Sequence, residues 1–75
     1  MLQRYANLSG NSGVVAYRTA ADSITVKFVD GDEYLYTYAS AGRANVETMK
    51  QLAGQGRGLS AFISTTVRNG YAKKN

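Results

Sequence analysis

The chain has no cysteine and no histidine. Those two absences exclude disulfides and the thiolate and imidazole zinc sites, and they remove the commonest catalytic bases and nucleophiles. No metal, no cofactor and no catalytic centre is therefore expected. Proline is missing as well. No stretch approaches the roughly 18 consecutive apolar residues of a membrane span, and "MLQRYANLSGNSG" holds no apolar run long enough for a signal peptide. The expected setting is the cytoplasm, with no membrane involved. At 75 residues the chain has room for one core. A domain this small buries only about 60% of the surface its unfolded chain exposes, so each large apolar side chain counts.

Acid is scarce where base is plentiful. Residues 1 to 47 hold Arg4, Arg18, Lys27 and Arg43 against Asp22, Asp30, Asp32, Glu33 and Glu47. Residues 48 to 75 hold Lys50, Arg57, Arg68, Lys73 and Lys74 with no acid, within a net charge of +4. A segment of that kind attracts phosphate backbones or acidic partners, or serves only as a solvated surface.

The remaining residues sort by period. Residues 1–13 are polar and rich in Asn, Ser and Gly, an irregular lead-in from which Tyr5 and Leu8 can dock. "VVAYRT" is β-branched and aromatic, and "ITVKFV" alternates cleanly, as strands do. "DGD" is a turn, and "EYLYTYA" makes a third strand. The period then changes to about 3.6. Val46, Met49, Leu52 and Ala53 share one face of a helix over residues 43–54, with Asn45 placed to cap it. "GQGRG" breaks that helix. Leu59, Phe62, Ile63 and Val67 mark a second, stopped by Asn69-Gly70 with Gly70 suited to a left-handed C-cap. The expected fold is α+β: a three-stranded antiparallel β-meander followed by two helices packed on one face, in the order βββαα. Its parts are the lead-in 1–13, a single domain 14–71 and a basic tail 72–75.

Hairpin parity decides which way the tyrosines of "DGDEYLYTY" face. A two-residue Asp30-Gly31 loop pairs Phe28 with Glu33 and sets the tyrosines opposite Ile24, Val26 and Phe28. A three-residue loop with a left-handed Gly31 pairs Phe28 with Asp32 and puts all six large side chains on one face. A fully buried large side chain contributes roughly 1.5–3 kcal/mol, so a marginal fold should take the second register. The expected core is then Val15, Tyr17, Ile24, Val26, Phe28, Tyr34, Tyr36, Tyr38, Val46, Met49, Leu52, Leu59, Phe62, Ile63 and Val67. The tyrosines belong to that core rather than to a base-stacking platform, with their hydroxyls at its rim.

These residues resemble a known family. Ile24, Val26, Phe28, Gly31, Tyr34 and Tyr36 are similar to the central apolar-x-apolar-x-Phe strand, Gly turn and Tyr-x-Tyr pair of the KTSC domain, named for the C-terminus of some lysyl-tRNA synthetases. Val15-Ala16-Tyr17 looks like the family's Ile-Gly-Tyr, and Phe62, Ile63, Val67, Arg68 and Tyr71 look like its ending. The chain departs from that pattern at Ala39-Ser40, where the family has Val-Pro, and at Ser64, where it has Asn. The resemblance covers roughly residues 12–71 and implies a small α+β domain of bacterial type, for which RNA binding has been proposed.

Two candidate chemistries reduce to turns. Asp30, Asp32 and Glu33 lack the ligand series of a calcium loop. "GQGRG" has neither the spacing of a dinucleotide fingerprint nor a P-loop ending, so an anion nest there competes with a plain inter-helix turn. Two functional classes stand. One is a nucleic-acid accessory module binding RNA or another single strand through Arg43, Lys50, Arg57, Arg68, Lys73 and Lys74. The other is a protein-interaction module or homodimer using a strand edge or leftover apolar surface such as Leu35 and Val29.

Overall fold

In a computed structural model of the protein, residues 2–8, 10 and 13–74 are described. Residues 1, 9, 11 and 12 of the expected lead-in, and residue 75 of the expected tail, lie outside them. Five strands, β1 (Gln3–Arg4), β2 (Val14–Ala20), β3 (Ser23–Phe28), β4 (Glu33–Thr37) and β5 (Lys73–Lys74), form one antiparallel sheet in the order β1-β2-β3-β4-β5. Between β4 and β5 come helices α1 (Tyr38–Ala41), α2 (Arg43–Gln55) and α3 (Leu59–Phe62), then a π-helical turn, Ile63–Val67. The protein is a small α+β domain, but the βββαα order is corrected. Two further strands flank the meander, and the helical part has three helices and a π turn.

The flanking strands explain that difference. β1 and β5 have two residues each, too few to show any period. They form because the outer backbone of β2 and β4 needs partners. Gln3 faces Tyr17, Arg4 faces Ala16, and Lys73 and Lys74 face Leu35 and Tyr34. Thus the lead-in is not irregular throughout, and the basic tail is part of the sheet.

The central hairpin takes the longer loop. Val26 faces Tyr34 and Ile24 faces Tyr36. The Phe28 N–H donates to the Asp32 carbonyl at 2.9 Å, and Gly31 sits at φ 95°. This register sets Ile24, Val26, Phe28, Tyr34 and Tyr36 on the face that the helices cover. α2 contributes Val46, Met49 and Ala53 to the core, while α3 and the π turn contribute Leu59, Ile63 and Val67. Tyr5 and Val14 complete it, both closed to solvent. Tyr17, Phe28, Tyr34, Tyr38, Leu52 and Phe62 pack around it partly buried.

Four local expectations are corrected. A bulge between Val14 and Ala16 makes Val15 the extra residue, so Val14 faces Phe28 from the core and Val15 is exposed. Tyr38 opens α1 instead of extending the third strand. Thr37 and Ser40 cap that helix reciprocally, each hydroxyl accepting from the other's N–H at 3.0 and 2.9 Å. Asn45 does not cap α2; Gly42 does, and the Asn45 amide donates to the Ala41 carbonyl. The left-handed position ending the π turn is Arg68, at φ 35°, and not Gly70. Gly70 is needed for another reason. A Cβ there would lie 2.9 Å from the Val67 carbonyl oxygen, with Ser40 and Ala41 at ordinary contact distance.

Candidate nucleic-acid interface

The six cations expected to form the interface fall into separate places. Arg43 and Lys50 both stand over the Tyr38 ring, at 5.7 and 5.8 Å from its centre. Lys50 is committed there: its ammonium lies 3.0 Å from Glu47 and donates to the Ala21 carbonyl at 3.1 Å. Tyr38 joins the same cluster, its hydroxyl within hydrogen-bond reach of Glu47 and of the Ala21 carbonyl. The bond to Tyr38, then that to Lys50, holds the Glu47 carboxyl below its ordinary range, and the same bond raises the Tyr38 phenol. This cluster clips α2 to the β2–β3 turn. Arg57 is exposed in the turn between α2 and α3, apart from it.

Lys73 and Lys74 are neighbours in a strand and so project to opposite faces. Lys74, opposite Tyr34, lies on the helix side, 3.5 Å from an Asp32 carboxylate oxygen and 5.4 Å from the Tyr34 ring centre. Lys73, opposite Leu35, lies on the other side. The basic C-terminal third is therefore not one patch.

The side of the sheet away from the helices carries the larger concentration of charge. Arg4, Ala16, Lys27 and Glu33 form one row across it, and Arg18, Thr25, Leu35 and Lys73 form the next. Among the described residues, four cations stand there against one carboxylate. Among the described residues none of the four is in an ion pair. Thr25 in the middle is buried, while Arg4, Arg18 and Lys73 around it are exposed. At about 4.8 Å between strands, the face runs roughly 19 Å from β1 to β5. Sequence reasoning missed this surface because it read charge by chain segment. The same alternation that assigned Ile24, Val26 and Phe28 inward also assigned Lys27 outward. Arg4 and Lys73 needed β1 and β5.

At one end of the helix-covered side the tyrosines line a groove of about 450 Å³ beside the hairpin turn, walled by Phe28, Tyr34, Tyr36, Tyr71, Asp30 and Arg68. Tyr34 and Tyr71 meet edge to face with centroids 4.9 Å apart, as do Phe28 and Tyr34 at 5.5 Å. Tyr36 closes the floor, only 1% exposed, and burial pushes its phenol up to about 12. The three tyrosines of "DGDEYLYTY" have thus separated into a core residue, a groove wall and a helix start.

No protein-family model, curated protein or solved structure matches this chain.

Proposed function

We propose that this protein is a non-catalytic module of KTSC type that binds single-stranded RNA across the open face of its sheet. The observation that carries the reading is the set of four cations, Arg4, Arg18, Lys27 and Lys73, spread over one uncovered face with Glu33 as the single acid among the described residues. Guanidinium groups meet phosphate oxygens through two parallel N–H donors, and lysines add point charges. A surface of this width accommodates several successive phosphates of one strand. Contacts of this kind position a strand without reading its sequence, so binding is expected to be weakly sequence-specific. Lys73 is the member drawn from the basic C-terminal third, and Lys74, its neighbour in β5, projects to the helix side.

The salt dependence of RNA affinity tests this. Each phosphate neutralised on a single strand contributes about 0.7 to the slope of log K against log salt. The variant Arg18→Gln/Lys27→Gln/Lys73→Gln should flatten that slope by about 2 and weaken all sequences alike. The triple Lys50→Gln/Arg43→Gln/Arg57→Gln should change it far less. Equal effects of the two triples would count against the sheet face. RNA affinity that ignores salt, together with a mass that rises with protein concentration, would favour the protein-partner reading.

A further inference from the structure

The groove beside the hairpin turn has polar groups that the core does not require. Arg68 holds a backbone conformation that side-chain-bearing residues rarely adopt, φ 35° and ψ −101°, fixed by its N–H donating to the Ile63 carbonyl across the π turn at 2.6 Å. That conformation places Arg68 along the groove wall. Its guanidinium has no hydrogen bond or ion pair among the described residues. Asp30, an exposed residue of the hairpin turn, lines the groove as well. One of its oxygens accepts from the Asp32 N–H at 3.0 Å, which holds the side chain in place and leaves the other oxygen free to accept again. The same groove is lined by the edge-to-face rings of Tyr34 and Tyr71, both only partly buried, and by buried Tyr36. The groove thus offers aromatic surface, one planar cation and one fixed carboxylate, within the volume range of small-molecule sites.

We propose that this groove is a pocket for one nucleotide whose base carries an exocyclic amino group. The base stacks against Tyr71, its amino group donates to the free oxygen of Asp30, and the phosphate takes the guanidinium of Arg68 in a forked contact. The proposal deepens the RNA reading on which it rests. β5 forms the boundary between the two surfaces, with Lys74 on the groove side over Tyr34 and Lys73 on the open face. A strand crossing that edge sets one base in the groove and its backbone on the sheet. The carboxylate gives the pocket a preference that the open face lacks. Cytosine, adenine and guanine each carry an amino group that satisfies Asp30, whereas uracil has only carbonyl oxygens outside its ring and repels it.

The test titrates the isotope-labelled full chain with cytidine, adenosine and uridine monophosphates separately, following the ring signals of Tyr34 and Tyr71 and the side-chain N–H of Arg68. Cytidine and adenosine monophosphates should shift these signals and bind several-fold more tightly than uridine monophosphate. Asp30→Asn should narrow that difference, and Arg68→Gln should weaken all three nucleotides while leaving the unphosphorylated nucleosides unchanged. Absence of shifts at millimolar nucleotide overturns the pocket, as does equal response to inorganic phosphate alone. Single-stranded RNA binding without any nucleotide response overturns the pocket and spares the sheet-face reading. A nucleotide response that survives in Arg18→Gln/Lys27→Gln/Lys73→Gln, while RNA affinity falls, supports both.

Discussion

Tyr36 has its ring under the helices and its hydroxyl in an environment that opposes ionisation, because burial disfavours the phenolate and Tyr34 and Tyr71 add to the effect. Its phenol is raised from 10.0 to about 12. The folded state then holds this proton more tightly than the unfolded chain does. The stability tied to it is whole below pH 10 and is lost as pH rises towards about 12. Alkaline titration by tyrosinate absorbance should show ionisation of Tyr36 and Tyr38 delayed beyond 10.0, with stability in denaturant falling as pH rises towards about 12. Truncation is more severe. Tyr36→Ala removes a large core aromatic and should destabilise by about 3–5 kcal/mol, much of what a domain this size has, measured by denaturant unfolding. Glu47 behaves in the opposite sense. Its carboxyl is depressed below 4.5 by Tyr38 first and Lys50 second, so its contribution is present above 4.5 and is lost on acidification through the lowered folded value. A carbon-detected NMR titration should place Glu47 below 4.5, and Tyr38→Phe should move it back up.

Among the elements, those with a clear period or an energetic preference were legible from sequence. The β3–β4 register was readable because the alternative wets half the large side chains, a cost that a small core cannot carry. α2 was readable from Val46, Met49 and Ala53, and its end from the glycines after it. The bulge at Val15 was not readable, since "VVAYRT" carries no mark of which valine is the extra one. Tyr38 misled because it continues the alternation of Tyr34 and Tyr36, while Thr37 and Ser40 supply a capping box that overrides it. Two left-handed glycines separate conformation from space. Gly31 has φ 95° with nothing near its missing Cβ, whereas Gly56 has φ 81° and a Cβ there would lie 2.6 Å from the Ala6 Cβ. Gly31→Ala should cost about 1–2 kcal/mol for its backbone alone. Gly56→Ala should cost more, because it also pushes the N-terminal segment off the end of α2, where the Leu8 N–H donates to the Gly56 carbonyl. Parallel denaturant unfolding of the two variants checks the order.

Over the whole molecule, one face of the sheet is spent on the core and the other is left to the charges. No described helix is long and apolar enough to cross a membrane. The candidate site was half legible for that reason. The sequence points to cations, and Lys73, Lys74 and Arg68 do lie around β5 and the groove, but only the five-strand register shows that Arg4, Arg18 and Lys27 share a face with Lys73. The most direct test of that claim is an amide NMR titration of the full chain with mixed-sequence single-stranded RNA at low salt. Shifts are expected to concentrate at Arg4, Arg18, Lys27 and Lys73, to continue over β5 to Tyr71 and Arg68, and to fade as salt is raised. Shifts confined to α2 around Arg43 and Lys50, or none on the sheet at high RNA excess, would contradict that claim.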